Sequence, residues 1–303
     1  MSQQQTIAIL TGGTSSEREI ALLSAEGVRS ALAPCFELDV FDFPSDFDKF
    51  LMGFKKFNAV IPVFHGKGGE DGVIQGFLKT LGLPFIFSDV TAHAIALNKA
   101  FTKDVVSKTG ILTPDYHVLG RVGAAEAEFD EPCVIKPMEG GSSVGISIAK
   151  TEQEFSAAIA EALKFGDEVL VERYVQGKEY TVAVIDEGNQ AIALPVIAIE
   201  PKTEFFDFAA KYDAELVEEI CPAPIDAELG ERLKAAAVTV HRLIGARHLT
   251  RSDFIVDQDE RIWFLEINTI PGQTLNSLVP KAVKASGRDM GKVLAQWIKE
   301  VAK

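Results

Sequence analysis

Short apolar runs alternating with helical stretches constrain the first third of the chain most. Thr6–Leu10, Phe36–Phe41 and Ala59–Phe64 are strand-like, and Ile20, Leu23, Val28 and Leu32 recur between the first two at helical spacing. Strand, helix, strand in that order make a parallel pair, because a crossover is needed to bring the chain back in the same direction. Ser16 and Glu19 fit a capping box at the start of the first helix. The third run enters the loop His65-Gly-Lys-Gly-Gly-Glu-Asp-Gly72. The next helix stops at Gly82 with Pro84 beyond it, and one more is expected from Thr91 to Lys108, ended by Gly110.

From Pro132 to Glu179 the pattern changes to strand, glycine loop, strand, helix, strand, which reads as a smaller lobe. Further strands follow, then a helix over Asp226–Ile244, a hairpin, and a last helix containing Trp297. A length of 303 residues suits two or three α/β lobes, with borders expected at 1–95, 96–178 and 179–303. The formal charge of −14 disfavours nucleic acid and anionic membranes as partners, and the scattered Lys and Arg suit single cations beside an anion in a pocket. Cys35, Cys133 and Cys221 are odd in number and widely spaced, so a disulfide framework is not expected, a reducing cytoplasm fits, and small buried hydrophobes are their default role. No apolar run approaches the roughly 18 residues of a membrane span, and the start lacks an export signal.

The C-terminal hairpin carries the clearest chemistry. Ser252–Val256 and Arg261–Ile267 are strand-like around the turn Asp-Gln-Asp-Glu. Either a two- or a four-residue loop sets Asp253 opposite Phe264, with Arg251, Asp253, Glu266 and Asn268 on one face at the open end. Two carboxylates and an amide oxygen there form a hard oxygen site of the kind Mg²⁺ favours, and an Arg beside them can neutralise an oxyanion. A solvated sheet end is the bland alternative. The apolar run Trp263-Phe-Leu-Glu-Ile-Asn268 opposes it, because it sets Glu266 at the edge of a buried strand.

Val134-Ile-Lys-Pro-Met-Glu-Gly-Gly-Ser-Ser-Val-Gly-Ile-Ser-Ile-Ala149 is a glycine-serine loop between two apolar runs. Its successive backbone N–H groups suit an anion nest, with Lys136 adding a point charge. Gly141, Ser143 and Gly145 also match GxSxG, with His241 or His248 as a base, but a nucleophile elbow needs a helix next and Ile146–Lys150 alternates like a strand. A GxxxxGK[ST] loop is missing. Glu17, Lys99, Lys211, Tyr212 and His65 would each pass singly as surface or core residues.

In combination these residues resemble the D-alanine:D-alanine ligases of the ATP-grasp superfamily. The likeness spans nearly the whole chain and rests on six ordered motifs: Gly12-Gly-Thr-Ser-Ser-Glu-Arg-Glu-Ile20, His65–Gly76, Glu139-Gly-Gly-Ser-Ser-Val-Gly145, Ala210-Lys-Tyr212, Arg251-Ser-Asp253 and Leu265–Pro280. It implies a three-lobed α/β fold, with a Rossmann-like parallel-sheet domain and two α+β lobes enclosing ATP. The implied reaction joins two D-alanines through an acyl phosphate, releasing ADP and phosphate, for peptidoglycan synthesis and cell-wall biogenesis. A cytoplasmic homodimer is implied as well.

The resemblance also implies roles. Lys99, Lys136 and Lys211 would contact ATP phosphates under the loop Gly140, Gly141, Ser142, Ser143 and Val144. Glu172, Arg173, Tyr174 and Val175 with Glu179 would hold adenine and ribose. Asp253, Glu266 and Asn268 would bind two Mg²⁺, which Mn²⁺ can replace. Glu17, grouped with Ser142 and Tyr212, would take the first D-alanine's ammonium near His65. Arg251 and the Gly272 N–H would stabilise the oxyanion, and Ser277 and Leu278 would receive the second carboxylate. Tyr212 favours a dipeptide over the ester made by D-lactate-using relatives. Phe206, Ala209, Gln273 and Asn276 depart from the residues many relatives carry, which bears on loop closure and second-substrate affinity.

Overall fold

The computed structural model describes residues 5–124, 127–140, 145–201, 217–274 and 276–302. β1 (Thr6–Gly12) lies between β2 (Glu37–Phe43) and β3 (Ala59–Pro62) in a parallel sheet, and α1 (Arg18–Leu32) makes the first crossover. The buried stripe of α1 is Ala21, Ser24, Ala25, Val28 and Leu32, whereas Leu23 is 62% exposed. Small residues let the helix sit close to the sheet, and the bulkier Ile20 and Leu23 turn instead toward a cavity mouth. The expected capping box is not formed: Glu17 is the N-cap and makes no side-chain cap bond. Ser15 does the local bonding, its hydroxyl accepting from the Glu17 N–H at 3.2 Å and donating to the His65 carbonyl at 2.7 Å.

α2 (Phe47–Gly53) lies between β2 and β3, and α3 (Val73–Thr80) and α4 (Val90–Leu97) follow the sheet and its loop. The helix expected over Thr91–Lys108 is in fact two, because Asn98 is extended and its side chain accepts from the Phe101 N–H at 3.0 Å, capping a new helix, α5 (Lys99–Ser107). An Asn at this position competes with the helical backbone and serves better as a cap. The break sets Lys99 in the first turn of α5 with Lys103 one turn on.

The second sheet is antiparallel in the order β4 (Tyr116–Gly120), β7 (Glu168–Arg173), β5 (Cys133–Pro137), β6 (Ser147–Ala149), and α6 (Glu152–Ala162) packs on it. Because β6 follows the glycine loop, the strand-loop-strand reading holds against a nucleophile elbow. The third sheet contains β8 (Lys178–Glu187), β9 (Gln190–Ala193), β10 (Ile197–Pro201), β11 (Val217–Ile220), β12 (Leu249–Val256) and β13 (Ile262–Asn268). Its order is β11-β10-β8-β12-β13, with β9 also on β8. α7 (Ala227–Leu243) covers one face, and α8 (Leu278–Ala285) and α9 (Met290–Val301) lie toward the parallel sheet. One apolar core joins Ile7, Ile9 and Val28 to Ile185, Leu249 and Trp297, so the first and third sheets share an interior. Of the cysteines only Cys133 is buried; Cys35 is exposed and Cys221 intermediate.

A polar seam crosses this shared core. His248 accepts the Phe87 N–H on Nδ1 at 2.8 Å and stacks on Trp297 with ring centroids 5.3 Å apart. Asp186 accepts the His248 N–H at 2.6 Å and pairs with His241, whose Nδ1 meets Thr250 Oγ1 at 2.8 Å. Burial, helped by Arg247, pulls the His248 pKa down to about 4, and burial does the same to His93. Both histidines are therefore neutral in the folded chain, whereas the unfolded chain protonates them near the ordinary value of 6.5. Between those limits the unfolded state binds more protons, so stability is present above about pH 6.5 and falls as pH drops toward 4, by at most about 3 kcal/mol per histidine. His248 has φ +66°, a conformation Asn tolerates, and Asn offers an acceptor near Nδ1. We expect His248→Asn to flatten the acid-side loss of melting temperature by about half of its histidine-dependent part; an unchanged slope between pH 7 and 4.5 would count against the seam.

Candidate active site

Asp257 sets the hairpin turn. Its carboxylate accepts from the N–H groups of Asp259 and Arg261, both at 3.0 Å, and from Trp263 Nε1 at 2.8 Å. Arg261 gives its N–H to that carboxylate while its carbonyl accepts the Asp257 N–H at 3.1 Å, and five residues separate the first ladder pair, Val256 with Ile262, beyond which Phe254 lies opposite Phe264. The expected pairing of Asp253 with Phe264 is thus not found. Continued unbroken, the observed register would set Asp253 opposite Leu265 and turn Glu266 to the other face. A bulge between Asp253 and Phe254 on one strand, spanning Leu265 on the other, takes up one residue, and beyond it Asp253 faces Glu266 and Arg251 faces Asn268. The four side chains do share a face, but through a longer turn plus a bulge, a device that re-aims side chains beside active sites.

Carboxylates directly opposite across a ladder repel. Asp253 is held by a two-pronged bond from Arg251, Nε to Oδ1 at 3.0 Å and Nη2 to Oδ2 at 2.8 Å, and by Thr181 Oγ1 at 2.5 Å. Glu266 accepts no hydrogen bond among the described residues, and Arg251 and Asp253 are both buried. Two facing carboxylates, one held and one with lone pairs to spare, and the Asn268 amide two residues on fit a hard divalent cation.

Asp253 and Glu266 line a cavity of about 510 Å³ between the second and third sheets. Lys136, Glu172, Arg173, Tyr174, Val175 and Glu179 line it too, so the candidate nucleotide residues from β5, β7 and β8 meet the hairpin there. Lys99 is buried beside it, donating from Nζ to the Gly140 carbonyl at 2.6 Å at the base of the glycine loop, and burial pulls its pKa below the ordinary value against the pull of Glu266. Glu172 is ion-paired to Lys136 at 2.6 Å and to Lys103 at 2.7 Å. Gly141, Ser142, Ser143, Val144, Lys211 and Tyr212 lie outside the described residues, as do Phe206 and Ala209.

A second cavity, of about 500 Å³, is bounded by Glu17, His65, Arg251, Asn268, Gly272 and Ser277. Leu278 and Asn276 also line it, so the first sheet's loops and the segment after β13 close one space. Glu70 ties them together, accepting the N–H groups of Gly66 at 2.9 Å and Ile270 at 3.1 Å. Its burial, reinforced by Glu17, pushes its pKa up to about 8. His65 meets Ser24 Oγ through Nε2 at 3.0 Å, and burial lowers its pKa. Ser277 is the N-cap of α8, but its hydroxyl turns back to the Thr274 N–H at 3.1 Å and Thr274 Oγ1 at 2.8 Å. A Cβ at Gly272 would lie 2.9 Å from that hydroxyl, so the close approach needs glycine. Gln273 is buried, with its N–H on Ser24 Oγ at 3.3 Å.

Lys103, Glu70, Ser24 and Thr181 were not singled out from the sequence, nor was the Lys281–Glu219 pair on the second cavity's wall. Only Lys103 carries a sequence signal, its i,i+4 spacing from Lys99. Buried Lys136 and Lys99 beside facing carboxylates, next to a second pocket with its own acid and arginine, suit a metal-assisted enzyme acting on an anionic substrate.

Comparisons with known proteins specify the family. The family model described as D-ala D-ala ligase C-terminus matches residues 105–299. The D-alanine--D-alanine ligase of Alcanivorax borkumensis is 40% identical over 289 residues, 95% of this chain and 91% of that one. That of Coprothermobacter proteolyticus is 36% identical over 302 residues, 97% and 99% of the two chains. Among solved structures, the Bacillus anthracis D-alanine--D-alanine ligase complexed with ATP has a TM-score of 0.82 at 30% identity, covering 98% of this chain and 97% of that one. D-alanyl-alanine synthetase A of Vibrio cholerae has a TM-score of 0.86 at 25% identity, covering 99% of each. The chain belongs to the D-alanine–D-alanine ligase family, ADP-forming ligases of the ATP-grasp fold.

Since the Glu266 side chain makes no hydrogen bond within the described residues, Glu266→Gln should leave the melting temperature within a few degrees while lowering kcat on the order of 100-fold or more, because even an outer-shell partner of a metal costs about 10- to 100-fold. A near-wild-type rate at ordinary Mg²⁺ would contradict a metal role for this face.

Proposed function

We propose that the two cavities divide the ligation of two D-alanines between them, ATP in the first and both amino acids in the second. What carries this reading is the hairpin end, where Asp253 and Glu266 look into one cavity while Arg251 and Asn268 line the other. The first D-alanine's carboxylate oxygen attacks the γ-phosphorus of ATP, and the bond to the β,γ-bridging oxygen breaks, giving an acyl phosphate and ADP. The second D-alanine's amine then attacks the acyl carbon, and inorganic phosphate leaves as the amide forms and the amine loses a proton.

In this reading Glu17 holds the first ammonium, and Lys99, Lys136 and Lys211 meet the phosphates beneath the loop containing Gly140–Val144. Asp253, Glu266 and Asn268 would hold two Mg²⁺, which supply charge neutralisation at the transferring phosphoryl group. Arg251 and Gly272 both line the second cavity, so the guanidinium and the Gly272 N–H are placed to meet the tetrahedral oxyanion. The start of α8 at Ser277 and Leu278 presents the positive end of the helix to the second carboxylate, although the Ser277 N–H itself donates to the Thr274 carbonyl at 2.9 Å. Adenine and ribose fall to Glu172–Val175, on the wall opposite the hairpin, and to Glu179, beside the hairpin on β8. Two neighbouring negative charges develop during the reaction, and positioned cations rather than a protein nucleophile supply most of the acceleration.

The borders 1–95, 96–178 and 179–303 belong to the same proposal, supported by one sheet falling in each range, with the first border inside α4. A homodimer working in the cytoplasm rests on the family resemblance; among the described residues no helix is long and apolar enough to cross a membrane. Release of ADP should require both Mg²⁺ and D-alanine in a coupled assay. Equal turnover with L-alanine, or ADP release indifferent to D-alanine, would sink the assignment.

A further inference from the structure

Lys99 and Lys103 stand four residues apart on α5, where like charges on one face ordinarily repel. Both are buried, and Lys103 is fully so, its side chain 0% exposed. A buried ammonium persists only when paired and hydrogen-bonded. Lys103 Nζ has both kinds of partner, Glu172 Oε1 at 2.7 Å and Thr113 Oγ1 at 2.9 Å. Glu172 in turn holds Lys136 through its other oxygen at 2.6 Å. Burial alone would raise the Glu172 carboxyl, yet Lys136 and Lys103 outweigh it and hold it below the ordinary value. One carboxylate thus lies between two ammonium groups from two elements, α5 and β5, and only Lys136 and Glu172 reach the cavity wall.

We propose that Lys103 is a positioning residue for the nucleotide: by taking up the charge of Glu172, it leaves Lys136 with a net positive charge to present to the ATP phosphates. The charges decide the point. Lys103, Glu172 and Lys136 sum to one positive charge, whereas Glu172 and Lys136 alone sum to zero. A neutral pair on this wall would attract a polyanion far less. Lys103 touches no ligand in this scheme; it acts through Glu172. The inference rests on the reading that the first cavity takes ATP with Lys136 near its phosphates.

The test is a pair of charge variants of the enzyme, assayed with saturating D-alanine. Lys103→Met should raise KM for ATP about tenfold, equivalent to about 1.4 kcal/mol, while KM for D-alanine stays within twofold. Lys103→Arg keeps a positive charge beside Glu172, so its KM for ATP should stay within about threefold of wild type. A Lys103 that only fills space predicts the reverse order, because the bulkier guanidinium disturbs a buried site more than the near-isosteric Met. An ATP KM unchanged by Lys103→Met, or a Lys103→Arg enzyme no better than Lys103→Met, overturns the proposal. Should Lys103→Met yield no folded protein, Lys103→Gln takes its place as the neutral variant, with the same two outcomes. Lys136→Met separates the two layers. If it leaves KM for ATP unchanged, the phosphate reading fails and this inference with it; if it raises KM while Lys103→Met does not, only this inference fails.

Discussion

Everything in the site depends on Asp253 and Glu266 being opposite each other at the end of one antiparallel pair. Their alignment is a product of opposing local demands. Asp257 satisfies its own carboxylate with turn N–H groups and the Trp263 indole, which fixes a five-residue loop. That loop alone would set Glu266 on the wrong face, and the bulge at Leu265 corrects it. The cost of two facing carboxylates is offset on one side by Arg251 and Thr181 and is expected to be offset on the other by cation binding. The arrangement stores a demand for positive charge where phosphoryl transfer needs it.

The same demand organises the surroundings. Lys136 lines the first cavity and Lys99 is buried beside it with its Nζ on the Gly140 carbonyl, each subject to a desolvation penalty that neighbouring carboxylates oppose. For Lys136 the acids win and its pKa rises above the ordinary value despite burial; for Lys99 burial wins. The chain is acidic as a whole, with a formal charge of −14, so these few enclosed cations rather than a basic surface are where it can offer positive charge to an anion. Glu70, raised to about 8, fits the second cavity for a related reason: a neutral acid there adds no further negative charge beside Glu17.

Periodicity made the parallel sheet, the strand-loop-strand lobe and the hairpin legible, because each is set by local patterns of apolar residues. What it could not resolve were choices between nearly equal local options. Asn98 reads as a tolerable helix residue until its side chain is seen capping Phe101. Ser16 and Glu19 match a capping box, yet Ser15 lies nearer the His65 carbonyl and takes the bonding role. The hairpin face was right although its register was not, since a bulge leaves no mark in apolar alternation. The roles of Lys103 and Glu70 are not legible locally because they lie in partners far along the chain, Glu172 and Ile270. The substrate itself came from ordered motifs and family likeness, not from residue geometry.

The central claim is that the bulge-aligned carboxylates hold the divalent cations between the two cavities. Anomalous scattering at the manganese edge, from crystals grown with Mn²⁺ and ADP, tests it most directly. Two peaks within coordinating distance of Asp253, Glu266 and Asn268 are expected; nucleotide bound without manganese at these three residues would contradict the account.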